Sequence, residues 1–173
     1  MTALGVNKEK QMDTKKPYDE RTDKEKIESN WKKTCGLYLR GEHSMAVIRA
    51  ATTVELAANL VVREELENNQ KLPKDFVDSL MKWTNGLVGK LKNLIIPITK
   101  GTEKEKFFTE IQKEIVDINN QRNGVAHRGE FKIKKTSSRI ISEAHEIIEK
   151  LVQQYDKTFS LPMPDEESED ENP

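Results

Sequence analysis

SMAVIRAATTVELAANLVVREELEN, residues 44–68, is the stretch on which the fold turns. Val47, Ile48, Ala51, Val54, Ala58, Val61 and Val62 recur at steps of three and four, which places them on one face of a helix. Ala46, Ala50, Leu56, Ala57 and Leu60 widen that face, and no Gly or Pro interrupts it. The many alanines let neighbouring helices approach closely, so the pattern predicts a long central helix. Upstream, Ile27, Trp31, Thr34, Cys35 and Tyr38 keep the same period, predicting a helix over about 24–39 that Arg40-Gly41 ends. Downstream, Leu72-Pro73 opens a third helix carrying Phe76, Leu80, Trp83, Leu87, Leu91 and Leu94, and Ile96-Pro97 stops it. Thr102 with Glu105 reads as a capping box before Phe107, Phe108, Ile111, Ile115 and Ile118. A last helix begins near Thr136 or Ser137, with Ile140, Ile141, Ala144, Ile147, Ile148, Leu151, Val152 and Tyr155 on its apolar face. The only strand-like stretch is Phe131-Lys132-Ile133. These readings add up to an all-α, up-and-down bundle of four or five helices.

Composition bounds the function. The chain has 173 residues, 35% hydrophobic and 34% charged, enough for one domain with a small core. No run of about 18 apolar residues predicts a membrane span. The opening MTALGVNKEKQMDTKK lacks the apolar stretch of a secretory leader, so a cytoplasmic location is expected. A lone cysteine, Cys35, excludes a disulfide framework and a multi-cysteine zinc site, and the three histidines lack metal-ligand spacing. Phosphate-binding glycine loops and a GxSxG elbow are absent, and no cofactor is implied. The formal net charge of −1 hides an asymmetry: DEESEDENP, residues 165–173, holds six acids and no base, so the rest carries 24 acids against 29 bases. Segments 1–22 and 161–173 are too polar to bury themselves and read as disordered, leaving a folded body over 23–160.

One segment carries chemistry. Residues 119–129 follow a strong helix at the point where the apolar pattern lapses, and they collect Asn119, Asn120, Arg122, Asn123, His127 and Arg128. An imidazole exchanges protons near neutral pH, and a guanidinium fork matches phosphate oxygens. On an ideal helix, Arg122 and His127 sit about 140° and about 7.5 Å apart. The spacing therefore predicts that they converge only if the helix frays at Gly124, or across a symmetric interface.

Arg122-Asn123-Gly124-Val125-Ala126-His127, followed by Arg128-Gly129, resembles the Arg-x4-6-His signature of HEPN domains, which are helical bundles found in both higher eukaryotes and prokaryotes. The likeness extends to the position of the motif, between the penultimate and final long helices, and covers most of 24–156. The resemblance implies a metal-independent endoribonuclease. Two motifs, usually from two chains of a homodimer, meet in one cleft. The RNA 2′-hydroxyl attacks the adjacent phosphorus, leaving a 2′,3′-cyclic phosphate and a 5′-hydroxyl. In that scheme His127 moves the proton, Arg122 stabilises phosphoryl charge, and Asn123 orients Arg122 or the phosphate. Toxin–antitoxin or antiviral settings, with an antitoxin or a nucleotidyltransferase as partner, come from the family alone. The alternatives are a non-catalytic HEPN-like module that binds RNA, a nucleotide or a protein, and a purely structural bundle.

Each residue also has a plainer reading. Arg122 and His127 suit the negative end of a helix dipole, and Asn123-Gly124 suits a helix stop. Arg128, Lys132, Lys134 and Lys135 are RNA-backbone contacts or solvated charges. Glu55, His43 and His145 read as surface or cap residues. Trp31 and Trp83 read as core, and Cys35 as a small buried hydrophobe. The acidic tail solubilises the chain or competes with RNA for the basic body.

Overall fold

The computed structural model describes residues 16–84 and 86–164, and among them every regular element is helical. After a single 3-10 turn at Tyr18–Glu20 come α1 (Asp23–Leu39), α2 (His43–Arg63), α3 (Lys74–Trp83), α4 (Gly86–Lys90), the one-turn α5 (Ile96–Ile98), α6 (Glu103–Arg128) and α7 (Lys134–Val152). Two widened, π-helical turns extend this set: Glu64–Asn69 continues α2, and Leu91–Ile95 joins α4 to α5. The four long helices form an up-and-down bundle. Cross-links set their directions. Arg63 at the end of α2 reaches Asp23 at the start of α1, and Lys104 near the start of α6 reaches Glu65 beyond the end of α2. Ser137 near the start of α7 lies 3.1 Å from His43 at the start of α2. So α1 and α6 run antiparallel to α2, and α7 runs parallel to it.

The alanine-rich face behaves as its small side chains dictate. Ala46, Val47, Ala50, Val54, Ala57 and Val61 are fully buried, with Ile27 and Trp31 of α1, Ile115 and Ile118 of α6, and Ile140 and Ile148 of α7 in the same core. The helix that continues from His43 to Asn69 is long and apolar enough to cross a membrane by length and composition only. In the bundle 61% of its apolar window is buried. Burial to that extent is what a core helix shows.

The third predicted helix is corrected. It breaks at Thr84, whose backbone is extended and whose Oγ1 donates to Leu80 O at 2.6 Å, and Gly86 then takes a positive φ of 68°. Within α3 the inward face carries Val77, Leu80 and Met81, so Phe76 and Trp83 do not reach the core; they are 51% and 87% exposed. The helical run ends where Ile96-Pro97 was expected to stop it: the widened turn at 91–95 leads into α5, whose last residue is Ile98. At α6 the expected capping box is displaced: Thr102 Oγ1 donates to Thr99 O, and the Glu105 carboxylate accepts from Gly101 N–H. A complete box sits instead at Thr22 and Glu25, starting α1. Phe131-Lys132-Ile133 forms no strand.

The packed chain runs past residue 160, which corrects the domain boundary. Phe159 and Leu161 are buried, and the Trp31 indole N–H donates to Pro162 O at 2.6 Å. His145 belongs to this seam rather than to the surface: its Nε2–H donates to Leu161 O at 2.8 Å, with the ring 5.5 Å from that of Trp31. Cys35 is half-buried there, packed against the core. The disorder expected of 1–15 and 165–173 lies outside the described residues.

Candidate functional site

The helix does not fray at Gly124. α6 continues unbroken through Arg128, and Ile111, Ile115 and Ile118 hold its inner face in the core. Its stop is Gly129, not Asn123-Gly124. Gly129 takes the left-handed conformation at φ 66°, where only glycine is unstrained, and the N–H groups of Gly129 and Glu130 both turn onto Gly124 O.

Arg122 and His127 nevertheless meet within one chain. Arg122 Nη1 lies 3.3 Å from His127 Nε2, and donates to Asn123 Oδ1 at 3.0 Å. Side-chain direction explains what backbone angles alone missed. A helical Cα–Cβ bond tilts toward the N-terminus, so the His127 ring leans back along the axis while the long Arg122 stem reaches forward around the turn. A guanidinium has only donors. For this contact to be a hydrogen bond, Nε2 must carry the lone pair and Nδ1 the proton. The imidazole is exposed at the helix end and the guanidinium is half-buried. A single chain thus presents a fixed cation, a proton acceptor and an amide oxygen that orients the cation, all within one turn and a half of helix.

The basic residues divide. Glu130 accepts from Arg128 Nε at 2.8 Å through Oε1 and from Lys132 Nζ at 2.7 Å through Oε2. Lys132 and Arg128 hold its carboxyl below the usual range. Lys132 Nζ also donates to Gln121 Oε1 at 2.8 Å, and its side chain is only 10% exposed. Lys132 is therefore a strut between the loop and α6 and does not stand out toward a ligand, which corrects the RNA-contact expectation. Arg128, Lys134 and Lys135 remain on the surface. Glu55 keeps the surface position expected of it, with its side chain 41% exposed, and pairs at 2.7 Å with the buried Lys90, tying α2 to α4.

No family model, curated protein or solved structure matches the chain. The site therefore has to be read from its own geometry. Among the described residues, no group of three His, Cys, Asp or Glu side chains is arranged to hold a metal ion. Sequence reasoning missed Glu130, Gln121 and Ser44, whose Oγ accepts from the Lys132 N–H at 2.9 Å and pins the loop after the motif. Ser44 lies 88 residues from its partner, and no local pattern announces such a pairing.

Proposed function

We propose that the protein is a metal-independent endoribonuclease of the HEPN type. The observation that carries this reading is the 3.3 Å contact between Arg122 Nη1 and His127 Nε2 at the exposed end of α6. As Arg122 Nη1 leaves it for the phosphate, the unprotonated Nε2 accepts the proton of an RNA 2′-hydroxyl. The oxygen then forms a bond to the adjacent phosphorus as the bond to the 5′-oxygen breaks, and that oxygen takes a proton from an imidazolium. The products are a 2′,3′-cyclic phosphate and a 5′-hydroxyl. Arg122 turns part of its donor fork to the phosphoryl oxygens, where charge grows in the transition state. Asn123 keeps the fork aimed, and Arg128 adds a backbone contact. One chain supplies one imidazole, so the second proton transfer falls either to the same His127 or to its counterpart in a homodimer with a composite site. The setting is cytoplasmic, and an antitoxin or nucleotidyltransferase partner follows only from the family likeness.

The test is cleavage of labelled RNA by the purified protein in EDTA, beside His127→Ala and Arg122→Ala variants, with the product ends identified. Cyclic-phosphate ends that vanish in both variants support the nuclease. Binding without cleavage makes the chain a non-catalytic RNA- or nucleotide-binding module. Neither binding nor cleavage leaves a structural bundle.

A further inference from the structure

The loop between α6 and α7 holds its two most apolar side chains in water. Phe131 is 92% exposed and Ile133 67% exposed, the first being the most exposed large hydrophobic side chain among the described residues. The loop is nonetheless pinned. Between those two residues, Lys132 turns inward, its N–H on Ser44 Oγ at 2.9 Å and its Nζ on Gln121 and Glu130. Ile133 has an extended backbone, and with Lys132 anchored inward its two neighbours stand in water. The aromatic ring stands four residues past His127, on the other side of the Gly129 stop. Near it in the chain, Arg128, Lys134 and Lys135 are exposed, whereas Lys132 is turned inward.

We propose that Phe131 is a stacking platform for an unpaired base, which makes single-stranded RNA the substrate class of the Arg122–His127 site; this rests on the nuclease reading above. An exposed ring on a pinned loop with exposed cations nearby in the chain is a combination by which proteins hold single strands: the ring takes a base face and the cations take the backbone. In a duplex the base faces are already covered by their neighbours, so a protruding ring finds nothing to stack on. A protein partner fits less well. A stable interface needs roughly 800 Å² on each side, with charge depleted at its centre. Here two apolar side chains sit amid a cationic surface.

The experiment is fluorescence anisotropy with short labelled oligoribonucleotides, single-stranded and hairpin, in a His127→Ala background that blocks cleavage. Adding Phe131→Ala is expected to weaken single-strand binding about tenfold or more, while Phe131→Trp retains it. Removing one base from the oligonucleotide at the stacked position should weaken the parent by the same factor and the Phe131→Ala variant hardly at all. Hairpin binding should not change. If the parent binds single strands and Phe131→Ala binds them equally well, the platform is overturned. If that variant also converts a dimer to a monomer in sedimentation, the ring belongs to a protein interface. A parent that binds no RNA of either form overturns the nuclease reading and the platform together.

Discussion

At Gly124 the missing side chain is what admits a neighbour. A Cβ there would lie 2.2 Å from Glu130 Oε2 and 2.9 Å from Arg128 Nη2, so the Glu130 carboxylate rests where a side chain would have been. Glycine costs a helix interior about 1 kcal/mol relative to alanine, and here it leaves room for the carboxylate. Gly124→Ala should therefore expel Glu130 and give little or no net stabilisation. In a Glu130→Ala background the same change should stabilise by about 1 kcal/mol in urea denaturation. Equal effects in both backgrounds would show that the carboxylate is not what glycine accommodates. His127→Ala, at an exposed position, should leave stability within about 0.5 kcal/mol of the parent, so its effect on RNA cleavage reads chemistry rather than folding.

Among the elements, the end of α2 shows how a change of helical pitch places a polar group. The widened turn at 64–69 brings Glu65 and Leu66 inward together, leaving Glu65 5% exposed. Burial raises the cost of its charge. Against that, Lys104, the Tyr155 hydroxyl at 2.5 Å and Asn69 Nδ2 at 3.0 Å all donate to the carboxylate and hold its pKa below the usual value. The same burial and the same carboxylate push the Tyr155 hydroxyl far up, so it stays a donor. These contacts join α2, α6 and the end of α7. Glu65→Ala strands a buried hydroxyl and an ammonium, and should cost about 3 kcal/mol in chemical denaturation, with Glu65→Gln costing less. A loss under about 1 kcal/mol in the Ala variant would mean that solvent reaches the cluster. The elements themselves were largely legible. Steps of three and four drew α1, α2, α6 and α7 correctly because apolar periodicity is a local consequence of helical geometry. Thr84 and Gly86 were harder: they divide a stretch whose apolar spacing looks continuous, and the reading followed the spacing across them.

At the scale of the molecule, the start of α1 is joined to the segment that follows α7. Lys24 Nζ at the start of α1 donates to Asp156 Oδ2 at 2.5 Å beyond the end of α7. Lys24, then the Thr158 hydroxyl and backbone N–H, hold the Asp156 carboxyl at about 2. A carboxyl whose folded pKa lies below its unfolded value of about 3.9 adds stability that is complete above that value and is lost as pH falls toward 2. Stability should therefore decline between about pH 4 and about pH 2, and Asp156→Asn should flatten that decline. An unchanged slope would assign acid sensitivity to other carboxylates, Glu65 first. The acidic stretch 165–173 follows Pro164, which lines a groove sharing Lys32 with a second groove that holds Lys33, Arg40 and Arg49. Removing 165–173 should tighten RNA binding at low salt, with the gain fading as salt rises. Identical affinity across a salt series would remove any masking role for the acids.

The amino-acid pattern by itself determined that this is a helical bundle with residues 44–68 at its centre, and that residues 122–127 form its most chemically loaded segment. Both follow from local rules, the 3.6-residue period and the residue types themselves. The tertiary structure alone decided that Arg122 and His127 touch on an intact helix, that Lys132 braces the loop while Phe131 protrudes from it, and that Trp31 is capped by Pro162 O from the far end of the chain. Those outcomes depend on side-chain reach and on contacts between residues as much as 131 apart, as between Trp31 and Pro162. Packing sets such distances, and the local period carries no information about them.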